Sequence, residues 1–279
     1  MLKAKPDIVL VYGDVNSTVA AALVCAKLCI KVGHVEAGLR SFDRTMPEEI
    51  NRLMTDQVAD ALFTPSQDGD ENLFREGIAK EKIHFVGNVM IDTLRRLLPG
   101  ALDGWDSLRK SLQIREQKYA LVTLHRPSNV DESATLLNIM NALCELSADI
   151  AIVFPIHPRT RQHLEKQGFK PHMPNLRITD PLGYLDFLAL QNHAKLVITD
   201  SGGIQEETTV LSVPCLTVRE NTERPVTATL GTNILVGRDI QKLKHEVSRI
   251  LSNEIKKGVI PPLWDGNAGI RIADIITDM

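Results

Sequence analysis

The sequence predicts an α/β protein with two domains, each built on a parallel β-sheet covered by helices. The chain has 279 residues, more than one domain of ordinary size and less than three. Short apolar runs alternate with helical stretches from end to end, a pattern typical of parallel sheets with helical crossovers. The periodicity lapses at LPGALDGWDS (98–107), where Pro, Gly and Asp are concentrated. We therefore place a linker at residues 98–115.

The first half, residues 1–97, offers few strand candidates. A doubly wound domain usually has about six parallel strands, and this chain begins almost inside its first apolar run. We therefore expect the first domain to lack N-terminal strands. Strands are predicted at residues 7–13, 31–37, 61–66 and 83–88, and helices at 18–30, 48–59 and near 89–97.

The second half, residues 116–262, has the pattern of a more complete α/β domain. The tail IRIADIITDM has the spacing of a short amphipathic helix. We assign residues 263–279 to this helix, which could pack back on the first domain. Strands are predicted at residues 118–125, 150–156, 176–179, 195–199 and 214–218, and helices at 132–146, at 184–193 and after Gly202.

Charge and hydropathy exclude several classes of partner. Thirty-two Lys and Arg stand against thirty-five Asp and Glu, a formal net charge of -3 without long blocks of either sign. Such a chain has no broad electrostatic footprint for nucleic acid or an anionic membrane. No apolar run reaches the roughly 18 residues needed to cross a bilayer, and the N-terminus lacks the layout of a signal peptide. We expect a cytoplasmic protein.

The cysteines are too few for a disulfide framework. Each of Cys25, Cys29, Cys144 and Cys215 lies in an apolar segment, where a reduced thiol packs as a small hydrophobe. Cys25 and Cys29 have i,i+4 spacing on a predicted helix and could share a metal ion. Core packing is the better interpretation, and we expect no metal site.

Polar residues directly after the apolar runs are the first candidates for a site, because parallel sheets bind ligands at the carboxyl ends of their strands. Asp14, Glu36, His125, His157 and Asp200 all occupy such positions. Each one alone is more often a helix cap or a turn former. Their number favours a functional site.

TDSGGIQEET is the most specific of these segments. A strand ends, Ser201, Gly202 and Gly203 form a turn with little side chain, and a helix begins with its N–H groups pointing at the turn, which is a phosphate-binding geometry. The alternative is an ordinary turn with a helix cap. Glu206 and Glu207 are expected in the first turn of the helix, where a carboxylate can also accept hydrogen bonds from a ribose diol.

Acidic residues gather in the first half: Asp14, Glu36 and the pair Glu48 and Glu49 after Pro47. Carboxylates at a helix start that begins with proline are explained by capping alone. Clustered carboxylates that face a histidine are also what proton transfer at carbon requires, because one group removes a proton and another returns one. We assign no role to the remaining histidines, His34, His84, His163, His172, His193 and His245.

These segments together resemble the UDP-N-acetylglucosamine 2-epimerase family. The resemblance runs in order from about residue 5 to the C-terminus, and HVEAGLRS and TDSGGIQEE are its most specific parts. The matching motifs are VYGD with Asp14, GHVEAGLRS with Glu36, MPEEINR with Glu48, LHRPSN with His125, FPIHPRT with His157, TDSGGIQEE with Ser201 to Glu207, and TERP with Arg224.

The resemblance implies two Rossmann-like domains of glycosyltransferase-B type, a cleft between them, and a homodimer that serves polysaccharide biosynthesis. It implies epimerisation of UDP-N-acetylglucosamine at C2 to UDP-N-acetylmannosamine, through elimination and re-addition of UDP, without a redox cofactor. Neither half contains GxGxxG, which agrees with that expectation. The resemblance also implies site roles: catalysis by Asp14, Glu36, Glu48 and His125; diphosphate binding by Ser201, Gly202, Gly203 and Arg224; ribose binding by Glu207, uracil binding by Phe187 and a substrate contact by His157.

The sequence also departs from the family. Family members begin with further strands and a GTRPE-like segment, and the resemblance implies that residues 1–5 are the tail of the helix that precedes the first strand here. We therefore expect an N-terminally truncated chain that is poorly stable alone. Leu182 stands where relatives often carry a Gln near the uracil. Three alternatives stay open: a hydrolysing 2-epimerase that releases N-acetylmannosamine and UDP, a UDP-binding remnant without turnover, and, less favoured, a glycosyltransferase of the same fold.

Overall fold

The structure is a computed structural model that describes residues 3–169 and 173–279. The chain divides into two compact units. Unit 1 comprises residues 1–93, 222–226 and 261–279, and unit 2 comprises residues 94–221 and 227–260. The expected helix tail at residues 1–5 lies partly outside the described residues, as does His172.

The strands are short and the helices stand between them along the chain. The strands are β1 (Ile8–Tyr12), β2 (Lys31–Val35), β3 (Ala61–Thr64), β4 (Ile83–Phe85), β5 (Tyr119–Thr123), β6 (Ala151–Pro155), β7 (Leu176–Thr179), β8 (Leu196–Thr199), β9 (Cys215–Thr217) and β10 (Asn233–Leu235). The helices are α1 (Asn16–Lys27), α2 (Pro47–Val58), α3 (Gln67–Arg75), α4 (Val89–Asp103), α5 (Trp105–Ser111), α6 (Pro127–Val130), α7 (Ser133–Leu146), α8 (Pro158–Lys166), α9 (Tyr184–His193), α10 (Gly202–Leu211), α11 (Pro225–Thr229), α12 (Ile240–Leu251) and α13 (Ala268–Thr277).

The sheet of unit 1 is parallel, with the strand order β1-β2-β3-β4. Strand β3 is buried along its whole length, as expected for a parallel strand that is covered on both faces. Leu62 and Leu73 belong to the apolar cluster on one face. Phe63 and Val86 belong to a second cluster, which also contains Ile272 of α13. The C-terminal helix is therefore part of the core of unit 1.

The sheet of unit 2 is also parallel, with the strand order β10-β9-β8-β5-β6-β7. Strand β5 lies between β6 and β8, so the chain first builds outward on one side of β5 and then on the other. This reversal is the topological switch point, where doubly wound sheets form their binding crevice at the carboxyl ends of the strands. Residues that directly follow β5 and β8 therefore meet there.

The segment 98–115, predicted as an irregular linker, is largely helical. Helix α4 continues through Pro99 to Asp103, and α5 follows at once. Packing explains the difference, because Leu94, Ala101 and Trp105 are buried in one apolar cluster of unit 2. Burial of this face outweighs the local cost of a proline and glycines in a helix. The predicted domain limits stay a prediction.

Two further details differ from the sequence-based prediction. Helix α1 ends at Lys27, and Cys29 lies beyond it in the left-handed region (φ 55°) with its side chain exposed, so the expected core packing holds for Cys25 and Cys215 but is wrong for Cys29. The sequence analysis did not predict helices α3, α6, α8, α11 and α12 or strand β10. Among the residues that the structure describes, no helix has the length and apolar character needed to cross a bilayer.

Gly87 tests the packing of the C-terminal segment, with Gly77 as a matched control. Both residues have positive φ (88° and 80°), but a Cβ on Gly87 would overlap the Leu263 carbonyl, whereas one on Gly77 meets nothing within 4 Å. Alanine costs about 1 to 2 kcal/mol in this backbone region. We expect Gly87→Ala to lose about 1 to 3 kcal/mol more than Gly77→Ala because of the overlap, as measured by urea unfolding. Equal losses would contradict the packing.

Candidate active site

The carboxylates after β1 and β2 meet at one edge of the sheet of unit 1. Tyr12 is paired with Val35 in the parallel register, and the Gly13 N–H donates to the Val35 carbonyl at 3.1 Å. Asp14 and Glu36 come directly after these paired positions. A Cβ on Gly13 would lie 3.6 Å from Glu36 Oε2, so the Glu36 carboxylate lies over the turn that carries Asp14.

Arg52 of α2 connects this edge to the helix. Its Nη2 lies 2.5 Å from Asp14 Oδ2, and its Nη1 lies 2.8 Å from Glu49 Oε2. The Arg52 side chain is 3 % exposed, which strengthens these ion pairs relative to pairs in water. Asn51 donates from Nδ2 to the Asp14 carbonyl at 2.9 Å. Side chains from one turn of α2 therefore fix both the backbone and the carboxylate of Asp14.

Glu48 and Glu49 are neighbours with opposite environments. Glu49 is buried and accepts hydrogen bonds from the Ser41 N–H, the Ser41 hydroxyl and the Phe42 N–H at 2.9 to 3.0 Å. Glu48 is half-buried, and its carboxylate has no hydrogen-bond partner among the described residues, as is also true of Glu36. Glu49 thus organises the loop before α2, whereas Glu48 keeps its oxygen lone pairs available.

In unit 2, Asp200 after β8 holds the turn after β5. It accepts hydrogen bonds from the His125 N–H at 3.1 Å, the Arg126 N–H at 2.9 Å and Asn129 Nδ2 at 3.0 Å. His125 Nδ1 lies 3.1 Å from Asp200 Oδ1. Burial alone would raise the pKa of Asp200, but hydrogen bonds and charge from His125, with those from Arg126 and Asn129, outweigh burial and lower the pKa. The Asp200 carboxylate is therefore an anion, and it orients the half-exposed His125 ring.

A pocket of about 230 Å³ opens beside His125 within unit 2. His125, His157 and Phe187 contribute to its wall, so the structure brings together three of the predicted site residues, with Leu182 beside them. His157 also caps α8, because its Nδ1 accepts from the Arg159 N–H at 3.2 Å. The pocket is lined by Thr123, Leu124, His125, Pro155, His157, Pro181, Leu182 and Phe187.

Helix α10 starts at the predicted turn. Ser201 is its N-cap residue, makes no side-chain capping bond, and is followed by Gly202 and Gly203 in the first turn. The first N–H groups of a helix have no partner within it, and together with the helix dipole they attract an anion. The expected position of Glu206 and Glu207 in the first turn is wrong, because the helix begins at Gly202 and places both in its second turn.

Glu207 is buried and accepts a hydrogen bond from the Tyr184 hydroxyl at 2.7 Å. Burial raises the pKa of Glu207. Tyr184, at the start of α9, is partly exposed, so the pair links the buried carboxylate to the surface. Arg224 falls in the segment assigned to unit 1, where its Nη1 lies 2.7 Å from Glu223 Oε1, and its predicted phosphate contact stays a prediction.

Sequence reasoning missed Arg52, Tyr184, the structural role of Glu49 and the orienting role of Asp200. The spacing of Glu49 and Arg52, three residues apart at a helix start, was a usable signal for an ion pair. No comparable signal linked Arg52 to Asp14. Within residues 3–169 and 173–279, no three His, Cys, Asp or Glu side chains come together in a way that could hold a metal ion.

Comparison with known proteins gives a consistent result. Residues 1–277 match the family model described as UDP-N-acetylglucosamine 2-epimerase. The chain is 44 % identical over 282 residues to the UDP-N-acetylglucosamine 2-epimerase of Methanococcus maripaludis, covering 99 % of this chain and 76 % of that protein. It is 43 % identical over 288 residues to the UDP-2,3-diacetamido-2,3-dideoxy-D-glucuronate 2-epimerase of Pseudomonas aeruginosa, covering 100 % of this chain and 77 % of that protein.

A solved structure has the same fold. The crystal structure of the Methanocaldococcus jannaschii UDP-GlcNAc 2-epimerase in complex with UDP-GlcNAc and UDP aligns with a TM-score of 0.89 and 45 % identity, covering 100 % of this chain and 77 % of that chain. The α/β fold class with two parallel sheets, predicted from the alternation of strands and helices, is confirmed, as is its glycosyltransferase-B type.

Asp200→Asn tests the anionic anchor of the β5 turn. At neutral pH we expect a loss of about 2 to 4 kcal/mol in unfolding free energy, because the variant loses charge-assisted hydrogen bonds in a buried position. The folded-state pKa of Asp200 lies below its ordinary value of 3.8, so this stabilisation is present above that value and is lost as the pH falls through the folded-state pKa. The difference in unfolding free energy between the parent and the variant, measured by urea unfolding, should therefore become smaller below about pH 4.

The exposed Asp149 gives the control, since Asp149→Asn removes one charge from the same unit without removing a side-chain hydrogen bond. The role of Asp200 as an anionic anchor would be contradicted if its variant lost the same unfolding free energy at every pH. It would also be contradicted if Asp149→Asn showed the same loss and the same pH dependence.

Proposed function

Because this chain belongs to the UDP-N-acetylglucosamine 2-epimerase family, we propose that it epimerises C2 of UDP-N-acetylglucosamine to give UDP-N-acetylmannosamine. UDP leaves C1 as a base removes the C2 proton, and UDP then adds again to C1 on its original face while a proton is delivered to the opposite face of C2. The observation that carries this proposal is the match of residues 1–277 to the family, with the motif carboxylates Asp14 and Glu36 together at one strand edge of unit 1.

Proton transfer at C2 is assigned to the carboxylates of unit 1. The C2 proton is weakly acidic, so its removal needs a base that is held in the correct geometry. Asp14 is held through Oδ2 by Arg52, which leaves Oδ1 to face substrate. Glu48 and Glu36 are half-buried without hydrogen-bond partners among the described residues. These are three acceptors for the two faces of the sugar, with Asp14 and Glu48 as the first choices for the base.

Stabilisation of the departing UDP is assigned to unit 2. The N-terminus of α10, with Ser201, Gly202 and Gly203, offers N–H groups to the diphosphate. Glu207 is assigned to the ribose hydroxyls, and the pocket beside Phe187 to the uracil ring. His125, oriented by Asp200, acts near the leaving phosphate or the sugar. His157 at the pocket wall and Arg224, which falls in the segment assigned to unit 1, complete the predicted substrate contacts.

Relatives of similar identity are named for two different sugars, since the Pseudomonas relative, at 43 % identity, is named for a diacetamido glucuronate derivative of the same nucleotide. We expect N-acetylglucosamine as the sugar, since the relatives of 44 to 45 % identity are named for it. The same names favour epimerisation over the alternatives of hydrolysis, glycosyl transfer or binding without turnover. A homodimer, a cytoplasmic location and a role in polysaccharide biosynthesis follow from the family resemblance and are proposed on that ground.

The function is tested by product analysis. The chain is incubated separately with UDP-N-acetylglucosamine and with the diacetamido glucuronate nucleotide, and the products are separated and identified by NMR. The proposal expects UDP-N-acetylmannosamine at equilibrium with its substrate and no accumulation of free sugar. Stoichiometric N-acetylmannosamine and UDP would show hydrolysis. Turnover of only the second nucleotide would replace the proposed substrate.

Glu48→Gln and Glu49→Gln should separate catalysis from structure. We expect Glu48→Gln to lower kcat by about a hundredfold to ten-thousandfold, because it removes a proton acceptor, while UDP affinity and unfolding free energy stay near those of the parent. Glu49→Gln should lower the unfolding free energy by about 1.5 to 3 kcal/mol, because it weakens charge-assisted bonds to Ser41 and Arg52. A fully active Glu48→Gln would remove Glu48 from the mechanism.

Gly203→Val tests the phosphate site, with Gly100→Val as control. A branched side chain in the first turn of α10 crowds the N–H groups that would face the diphosphate, so we expect UDP binding in calorimetry to be abolished. Gly100 is also helical, and a Cβ there meets nothing within 4 Å. Its variant controls for a valine in a helix. Unchanged UDP affinity in Gly203→Val would rule out the assignment.

A further inference from the structure

His34 is a fully buried histidine in β2 that sequence reasoning left without a role. Its Nδ1 lies 2.5 Å from Asp56 Oδ1, and its Nε2 lies 2.9 Å from the Gly13 carbonyl oxygen. Asp56 belongs to α2, and Gly13 immediately precedes Asp14. One side chain therefore connects three segments that surround the carboxylate edge of unit 1.

The two hydrogen bonds fix the protons on the ring. A backbone carbonyl can only accept, so Nε2 donates to Gly13. Asp56 Oδ2 already accepts from the Gly38 N–H at 3.2 Å and faces Arg40 Nη2 at 2.7 Å, an environment that holds Asp56 as an anion. Its Oδ1 is then also an acceptor, so Nδ1 donates as well. Both ring nitrogens of His34 carry a proton.

The surrounding charges balance this cation. Arg40 bonds Glu76 through two hydrogen bonds at 2.6 and 2.7 Å, so the cluster holds two cations, His34 and Arg40, and two anions, Asp56 and Glu76. A buried ion is tolerated when it is paired and its remaining donors are satisfied. The cluster meets that requirement, and it leaves the His34 to Gly13 bond as its connection to the site.

That bond acts on the residue after Gly13. The Gly13 carbonyl and the Asp14 N–H belong to one planar peptide unit, so a donor that fixes the carbonyl also fixes the direction in which the chain enters Asp14. Gly13 has a φ of 64°. Because glycine can adopt many other backbone conformations, this one needs hydrogen bonds to hold it. The Gly13 N–H is in turn bonded to Val35, the residue before Glu36.

We propose that His34 is a positioning residue whose doubly protonated ring, held by Asp56, fixes the Gly13 to Asp14 peptide and thereby sets the relative placement of the Asp14 and Glu36 carboxylates. The inference rests on the proposed function, because those carboxylates are assigned to the epimerisation. It adds to that function a buried residue that does not contact substrate.

Two amide variants test the two hydrogen bonds of His34 separately. The amide nitrogen of asparagine lies near the place of Nδ1 and that of glutamine near the place of Nε2, so His34→Asn keeps a donor for Asp56 and His34→Gln keeps one for Gly13. We expect kcat to fall about tenfold to a hundredfold in His34→Asn, because small displacements of reacting groups have such effects. His34→Gln should retain clearly more activity, and KM and UDP affinity should stay within about twofold in both.

Leu73→Ala serves as the control for lost stability, since Leu73 is buried in the apolar cluster of unit 1 and bonds neither His34 nor Gly13. All variants are assayed well below their melting temperatures. If the effect of His34 is only structural, both amide variants lose activity in step with their melting temperatures and resemble Leu73→Ala, which would overturn the inference. An inactive parent enzyme would instead overturn the proposed function and the inference with it.

A second measurement is independent of activity and of variant folding. Histidine ring nitrogens labelled with 15N in the parent protein report their protons directly by NMR at neutral pH. The inference expects both nitrogens of one solvent-protected ring to carry protons, and it expects that pair of signals to disappear in His34→Asn. A protected ring with one bare nitrogen would contradict it.

Discussion

The ion pairs of Arg52 with Asp14 and Glu49 are the interaction on which the geometry of unit 1 depends. A single buried guanidinium joins the turn after β1 to the first turn of α2 at 2.5 and 2.8 Å. Removal of either carboxylate partner would leave a buried charge without full compensation. The two adjacent glutamates have different roles. Glu49 binds Ser41 and Arg52, whereas the Glu48 carboxylate makes no hydrogen bond among the described residues.

In unit 2 a buried anion, Asp200, holds the site turn in place, as the buried cation Arg52 does in unit 1. Asp200 follows β8 at the topological switch point and binds the turn after β5 through backbone and side-chain donors. The strand order sets this meeting, because parallel neighbours end at the same edge of the sheet. Two residues later α10 begins, so Asp200, which anchors His125, directly precedes Ser201, Gly202 and Gly203 of the candidate phosphate site. The residue that orients His125 and the residues proposed to bind phosphate are therefore neighbours in the chain.

The sequence was informative wherever local pattern determines structure. Alternating apolar runs predicted every strand of both sheets except β10, and residues after those runs, such as Asp14 and His125, were correctly expected at the carboxyl edges. Contacts between distant residues were not predictable in this way. Arg52 and Asp14 are 38 positions apart and His34 and Asp56 are 22 apart, so no spacing rule connects them. A histidine in a buried strand has the same local pattern whether it packs or organises a site.

Local signals also misled where packing was stronger. Pro99 and its neighbouring glycines predicted an irregular linker, yet the apolar residues on one face of α4 and α5 keep the segment helical. Burial of these side chains against the remainder of unit 2, which the linear sequence does not show, decided the outcome. The placement of Glu207 differs for a simpler reason, because α10 begins at Gly202 and its sixth residue lies in the second turn, where Glu207 is buried beside Tyr184.

The central claim is that carboxylates of unit 1 exchange a proton at carbon C2 of the nucleotide sugar. The most direct test is incubation of the chain with UDP-N-acetylglucosamine in heavy water, with the C2 proton followed by NMR. The account predicts that deuterium enters C2 as UDP-N-acetylmannosamine forms. Formation of the manno product with its original C2 proton retained, or UDP binding without any exchange at C2, would contradict it.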